Sequence, residues 1–544
     1  MRILPWTVLP MALAFADRVS AQTHFAPPPA PTSNPTTVDK AMLGKALFWD
    51  EQLSSSRTVA CGTCHVPAAG GSDPRPQVAH PGADGVFGTA DDQRGSPGIV
   101  RQNAVGDFVG DSGFAAHPQG GTRRAASVIN AAYEPLLFRD GRGDGHFVDP
   151  LTGTVLAQDA ALEAQATLSP VDPVQMAHDG RAWAAIAQDL PPLEPLRFAD
   201  QIPVDLLAFV WCETYGSLFE QVFGSPGVTP TRIAQALAAY QRTLVADQSR
   251  FDRYLAGTDV LTAAEQRGLA VFDQHCSSCH SDLDSHAQPV SGQFRRTGVQ
   301  PTAFDPGRFA VTNDPGDLGK FKVPGLRNVA LRAPYMHDGS MATLDDVISF
   351  YNAGGGPGAD PAVTAIAGQI STGQRADLIA FLRTLTDNRV ANERPPFDRP
   401  RLWSESPRAP RVFGRATAGV GTPEPQMVAA MPGYVGTQKL TFGLDGVQPG
   451  LPHFFLIDFG RSPTALDVFG HEVWFANVQL RFFHLGNTLD TGGSGLAGYS
   501  SVRFEVPDHP TLRGLQLVGQ WWVYDVQSPT LLASSRSMQV TLHR

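Results

Sequence analysis

The sequence predicts a mainly α chain that becomes all-β in its last quarter, and three observations carry that reading. Two Cys-x-x-Cys-His pentapeptides stand far apart, at Cys61-Gly62-Thr63-Cys64-His65 and Cys276-Ser277-Ser278-Cys279-His280. Apolar residues around and between them recur mostly at helical spacing. Beyond residue 411 that spacing gives way to short β-branched and aromatic runs bounded by glycine and proline.

In chain order, Arg2 and the apolar run Ile3 to Ala16, followed by Val19-Ser20-Ala21, read as an export signal (1–21) cleaved near Ala21. The run is too short for a membrane span. Residues 22–36 are a proline-rich linker with no means of burying a core. Thr229-Pro230 predicts a helix start, with Ile233, Leu237, Tyr240 and Leu244 on one face. Thr262 and Glu265 predict a capping box for the helix that delivers Cys276. Further helices are expected from Thr343 to Tyr351 and from Thr372 to Leu385. A polar, proline-dotted linker spans 393–410. After it, His453 to Phe459, Glu472 to Phe483, Ser501 to Val506 and Gly514 to Val526 read as strands of a sandwich or jelly roll over 411–544. Trp521-Trp522 suggests a carbohydrate platform, against which stands the alternation of strand faces, which predicts one indole inward and one at an edge.

The two pentapeptides carry the chemistry. Two thiols at this spacing with an adjacent imidazole suit covalent haem c: the sulfurs bond vinyl carbons and the histidine reaches the iron. With 5 Cys and 15 His in 544 residues, one such motif arises by chance in roughly one random chain in a thousand. Zinc or a thioredoxin-type couple is the competing reading, but zinc needs further ligands and the couple needs no histidine. Two covalently bound haems c are therefore expected on Cys61, Cys64, Cys276 and Cys279, with His65 and His280 as proximal iron ligands. Cys212 is then left alone, and its apolar context predicts a buried packing residue. A net charge of -10 and a pI near 5.8 argue against nucleic-acid and anionic-membrane surfaces.

The segments LGKALFWDEQLSS (43–55), SVINAAYEPLLFRDGR (127–142), LEAQATLSPVDPVQM (162–176) and FKVPGLRNVALRAPYMHDG (321–339), with the two haem motifs in this order, resemble the bacterial dihaem cytochrome c peroxidases and the related MauG-type enzymes. The resemblance covers roughly residues 40–390. It implies two cytochrome c-like, mainly α haem domains, an N-terminal peroxidatic one (37–215) and a C-terminal electron-transfer one (216–392), followed by the β-domain, on which it is silent. It implies reduction of hydrogen peroxide in the periplasm with electrons from a small donor protein, a cytochrome c or a cupredoxin. MauG-like oxidation of a protein or organic substrate is the alternative, and an electron carrier without turnover is the alternative from another class.

The resemblance also assigns candidate residues. Gln165 matches a family glutamine of the peroxidatic site, whereas Gln175 stands where a glutamate is usual, and an amide cannot act as a general base near neutral pH. His117 lies near the loop histidine that ligates the resting first haem in the family, with His80 a weaker candidate. Tyr351 fills the position of the second haem's distal methionine, as in MauG-type enzymes; a phenolate favours Fe(III) where a thioether favours Fe(II). Met336 and Met341 are alternative ligands. Arg139 stands where the family places an inter-haem tryptophan and Arg124 where it places a calcium-ligating asparagine, so calcium there is electrostatically disfavoured.

Overall fold

The computed structural model describes residues 25–82, 84–110, 117–280, 293–301, 303–419, 424–429, 431–476, 481–490, 498–525 and 530–543. The expected export signal lies outside them. No helix of the described residues is long and apolar enough to cross a membrane.

Among the described residues, three large hydrophobic cores organise the chain. The first is built on helix Val38–Phe48 packed against helix Pro230–Gln241. Thr37 and Thr229 cap these helices by accepting the N–H of Lys40 and Arg232, and Pro230 occupies the first helical position, where no N–H is needed. Leu43, Leu47, Phe48, Ile233, Leu237 and Tyr240 close the interface, each 2% exposed or less. Each fully buried side chain of this size contributes about 1.5–3 kcal/mol. The expected domain border at 215/216 therefore cuts through this core, because the helix beyond it supplies half of the central interface.

The second core joins helices Ala263–His275 and Thr372–Thr384, each opened by a reciprocal capping box, Thr262 with Glu265 and Ser371 with Gln374. Phe251, Phe272, Phe381 and Leu385 fill it. Helix Leu344–Asn352, capped by Thr343, lies beside it. These start signals fall where the sequence places them. The mainly α expectation is too strong, however. The longest described helices have 13 residues, and most of the chain between Pro67 and Ala160 is loop and two-stranded ribbon. Prolines and glycines interrupt helices there, and Arg–Asp pairs such as Arg123 with Asp140 and Asp305, both at 2.6 Å, fasten the loops.

Two expected linkers are packed. In the proline-rich stretch, Asn34 is 1% exposed and donates to Glu163 at 2.7 Å, Phe25 packs edge-on against Tyr133, and Pro29 O accepts from Arg242. In 393–410, Phe397 and Leu402 enter the first core, and Glu51 accepts the Trp403 and Ser404 N–H groups. Cys212 is exposed, with φ at +59°, rather than buried: helix Val204–Val210 ends just before it and turns its apolar face inward without it.

The third core is all-β. One sheet has the order Gln426–Ala429, Leu440–Val447, Gly498–Phe504, Leu489–Asp490. The other has Arg481–Asn487, Pro452–Phe459, Gln516–Tyr524, Ser537–Thr541, Arg411–Phe413, with Leu532–Ser534 also paired to Gln516–Tyr524. Every strand pairing is antiparallel. One cluster draws Leu440, Phe442 and Val502 from the first sheet and Phe455, Trp521 and Val540 from the second. Trp522 points to the opposite face, as alternation requires, but is 3% exposed because hairpin Arg461–Val468/His471–Phe475 covers it. Neither indole offers a platform to a carbohydrate.

Candidate functional site

The first pentapeptide forms a single helical turn, Cys61–Cys64, entered through Ala60, whose N–H donates to Thr63 Oγ1 at 2.8 Å. Gly62 is required sterically: a Cβ there would lie 2.2 Å from the Trp49 ring. Trp49 is fixed in turn by its Nε1–H, which donates to Tyr240 Oη at 3.0 Å across the core. His65 Nδ1 lies 3.1 Å from Gly71 O. A carbonyl only accepts, so Nδ1 carries the proton and Nε2 keeps its lone pair for a metal. Burial lowers the pKa of this imidazole, which keeps it neutral. Arg75 lies 3.0 Å from Cys64 Sγ and is held by Asp73 at 2.8 Å and Pro97 O at 2.6 Å.

Burial pushes the Cys61 thiol up to about 12 and Cys64 to about 11. A thioredoxin-type couple needs the opposite shift. Among the described residues no group of three or more His, Cys, Asp or Glu side chains is placed to hold a metal ion.

Gln165 and Gln175 both stand next in the chain to residues of the first core. Gln165 lies on helix Ala161–Ala166, and its Nε2 donates to Ser169 Oγ at 3.3 Å. Gln175 sits in a turn organised by Asp172, whose Oδ1 accepts the Val174 and Gln175 N–H groups and whose Oδ2 accepts Gln175 Nε2 at 3.0 Å. Ala166 and Met176, the neighbours of the two glutamines, share the core against which Cys61 packs. Strand Pro97–Val100 ties the turn to the pentapeptide: Ile99 N–H donates to Val174 O, and Pro97 O accepts from the arginine that touches Cys64. Sequence reasoning missed Asp172 and Arg75. For Asp172 a signal existed, an Asp-Pro pair opening a turn; for Arg75 there was none.

His117 goes elsewhere. Its ring is 55% exposed, and Nε2 lies 2.8 Å from Asp445 of the β-domain, a contact that raises the histidine pKa.

The second pentapeptide opens onto a cavity of about 290 Å³ lined by Cys276, Cys279, His280, Met336 and Tyr351. His280 Nδ1 lies 3.1 Å from Pro324 O, repeating the device at His65. Burial, reinforced by the two cysteine sulfurs, pushes the Tyr351 phenol up to about 12. Met341 is not in the lining; its carbonyl accepts from Tyr335 N–H. The floor is apolar, with Phe272, Leu326, Ile348, Leu378 and Leu382. The lining also carries Arg124, Arg139, Arg295, Lys322, Arg327 and Arg332 against a single carboxylate, Glu134. Glu134 is engaged by Lys322, and burial lowers Lys322 to about 7. Arg139 and Arg295 each keep a buried Nε–H with no acceptor. A lining that combines apolar side chains with several guanidinium groups, two of them with an unpaired buried Nε–H, fits haem, a flat apolar ring with two carboxylate side groups.

Ser72, Ala126 and Ser127 of the first unit also line this cavity. The carbonyl that holds His65 belongs to the residue next to Ser72, so only one turn of backbone separates the cavity from the first imidazole. Arg124 latches the units together: it donates to Asp73 O at 2.7 Å, Arg332 O at 2.9 Å and Ala333 O at 3.0 Å, and its N–H donates to His337 O. A guanidinium thus occupies the carbonyl cluster at the position where the family resemblance places a calcium ligand.

Comparison with known proteins bears on the same residues. The family model described as di-haem cytochrome c peroxidase matches residues 38–260, and the cytochrome c model matches 265–386. The chain is 30% identical over 393 residues to the cytochrome-c peroxidase IdrP1 of Denitromonas iodatirespirans, covering 66% of this chain and 85% of that protein. It is 31% identical over 368 residues to the methylamine utilization protein MauG of Methylophilus methylotrophus, with the same coverage of 66% and 85%. Among solved structures, a MauG-like protein associated with microbial copper homeostasis aligns with a TM-score of 0.48 at 27% identity, over 70% of this chain and 98% of that one. Both family models end before the β-domain.

Proposed function

We propose, because the chain belongs to the bacterial di-haem cytochrome c peroxidase and MauG-type family, that it carries two covalently bound haems c and reduces hydrogen peroxide with electrons from a small cytochrome c or cupredoxin. The observation that carries this reading is the repeated site design: each Cys-x-x-Cys-His places an imidazole whose Nδ1 is bound by a backbone carbonyl, and the two sites meet across one backbone turn. Cys61 and Cys64 would hold one haem, Cys276 and Cys279 the other, with His65 and His280 as proximal ligands. The chemistry the bound haems supply is electron transfer to the O–O bond of peroxide, two electrons and two protons giving two waters. Gln165 and Gln175 would orient the peroxide through their amides. Gln175, whose Nε2–H is turned to Asp172, holds a proton rather than removing one.

Tyr351 supports the second reading, MauG-like oxidation of a protein or organic substrate, because it shares the cavity with Cys276 and Cys279 while Met341 does not. His117, held by Asp445, is assigned to the β-domain contact instead of the first iron. Export to the periplasm fits the apolar start of the sequence and the extracytoplasmic assembly of haem c. The haem units are best divided near residue 247, after the last side chain of the first core in this region, and 411–544 is read as a sandwich.

The test is a pyridine haemochrome assay, a paramagnetic resonance spectrum of the ferric protein and peroxide turnover with a reduced small cytochrome. Two haems c per chain, an open position at one iron and turnover are expected. One haem, or two six-coordinate irons without turnover, would overturn the reading; two haems with oxidation of an added organic substrate but no donor turnover would select the MauG-like alternative.

A further inference from the structure

Among the described residues, no carboxylate stands at ion-pair distance from the guanidinium of Arg139, a residue of the cavity lining. Arg139 lies at the seam of the two haem units, its own carbonyl accepting the Lys322 N–H at 2.8 Å. Its side chain is half-buried, its guanidinium borders the cavity, and its buried Nε–H has no acceptor among the described residues. The nearby carboxylates are engaged by other groups. Asp140 is bound by Arg123 at 2.6 Å and Arg142 at 3.0 Å, and Asp305 by Arg123 at 2.6 Å. Glu134 is bound by Lys322, and Arg327 takes Asp252 at 2.6 Å. Asp338 attracts Arg139 from a distance while accepting from Gln300 and Ser340, both at 2.8 Å. Burial, with repulsion from Arg124, Arg332 and Arg123, lowers the pKa of Arg139 to about 9. A buried guanidinium among like charges is costly unless an anion meets it.

We propose that Arg139 binds a carboxylate side group of the haem held by Cys276 and Cys279, and so places a fixed positive charge between the two haems. The inference rests on the two-haem reading above. The anion class follows from the site: the apolar lining residues would hold the ring, whose carboxylates are its only charged substituents, and the arginines of the same lining would meet them. Pairing leaves the carboxylate ionised throughout the neutral range. The nearby cation also favours the reduced iron, which carries one positive charge fewer than the oxidised one.

The experiment compares Arg139→Gln and Arg139→Lys with the parent holoprotein by pyridine haemochrome count and by spectroelectrochemical titration of both haems from pH 5 to pH 8. The expected result is two haems in each variant, a lower midpoint potential at the second haem in Arg139→Gln with a larger pH slope, and a parent-like potential in Arg139→Lys. The slope appears because a carboxylate without its cation takes up a proton when the iron is reduced. Two haems with unchanged potential and slope in Arg139→Gln would overturn the proposal while leaving the two-haem reading intact; a parent protein with fewer than two haems would remove that reading itself. Should Arg139→Gln not fold, redox-difference infrared spectra of the parent decide the matter. Ion-paired haem carboxylates give no protonated-acid C=O band on reduction at pH 6, and such a band would overturn the assignment.

Discussion

At the scale of single residues, the proposed peroxidatic role of the Gln165 and Gln175 region turns on where a carboxylate stands. Asp172 is a carboxylate, but both of its oxygens already accept, from two backbone N–H groups and from Gln175 Nε2 at 3.0 Å. Replacing Gln175 by Glu would set two carboxylates at that separation, and they cannot both ionise at their ordinary pKa, so one is raised toward the neutral range where it can serve as a base. Gln175→Glu should therefore accelerate the reaction with peroxide, by about 100-fold to 10,000-fold if the new group works as a general base. The pH–rate profile should gain an ascending limb that the parent lacks. Stopped-flow mixing with peroxide checks both; an unchanged rate with two haems bound would mean that Gln175 does not face the peroxide. The second residue-scale prediction concerns Tyr351, whose buried phenol stays neutral to about pH 12 without a metal. Ligation to ferric iron would ionise it, and Tyr351→Met should raise the second haem's potential and change its ferric spectrum. If neither moves, Met336, which also lines the cavity, is the ligand to examine next.

At the scale of elements, what the sequence made legible is what short-range chemistry decides. Thr229, Thr262 and Thr343 announce their helices because an N-cap acts on an N–H three residues away. Trp521 and Trp522 part to opposite faces because strand geometry alternates. The two pentapeptides named their own chemistry for the same local reason. The proline-rich strap could not be read, because its partners, Glu163, Gln235 and Arg242, lie more than a hundred residues away. Nor could the latch at Arg124, whose acceptors come from both haem units. The strap covers a buried ion pair, Arg242 with Glu163 at 2.8 Å, and Glu163 lies on the helix that carries Gln165. Glu163→Gln would leave the guanidinium buried without its counter-charge, at a cost of about 3–5 kcal/mol. Urea denaturation of the holoprotein, followed at the Soret band, should show a midpoint lowered accordingly; a midpoint within error of the parent would mean that water reaches Arg242.

At the scale of the whole molecule, the β-domain is joined to the first haem unit by a definite surface, so an independent appendage is too simple a picture of residues 411–544. Lys439 Nζ donates to Ala104 O at 3.1 Å, Arg503 to Val105 O at 2.8 Å, Thr441 Oγ1 to Gly106 O at 2.9 Å, and Phe108 N–H to Ser501 Oγ at 3.1 Å. His117 meets Asp445 at the same sheet. Because that contact raises the pKa of His117, its charged form contributes at low pH, and the contribution is lost as pH rises through the elevated value. The centre of the surface is Gly443, where a Cβ would lie 2.7 Å from the Phe108 ring. Gly443 sits within strand Leu440–Val447, whose register with its neighbours a side chain does not disturb, so a larger residue there acts as a wedge between the units rather than as a defect in the sheet. Gly443→Val should speed hydrogen exchange of the amides from Ala104 to Val109, at matched pH, and leave those of Gln516–Tyr524 protected. The second haem, whose cavity includes no β-domain residue, should keep its spectrum and potential. Changes confined to the first haem would show that this surface sets the shape of the loop beside it; exchange unchanged from Ala104 to Val109 would mean that Phe108 yields to the wedge and that the polar contacts alone hold the units together.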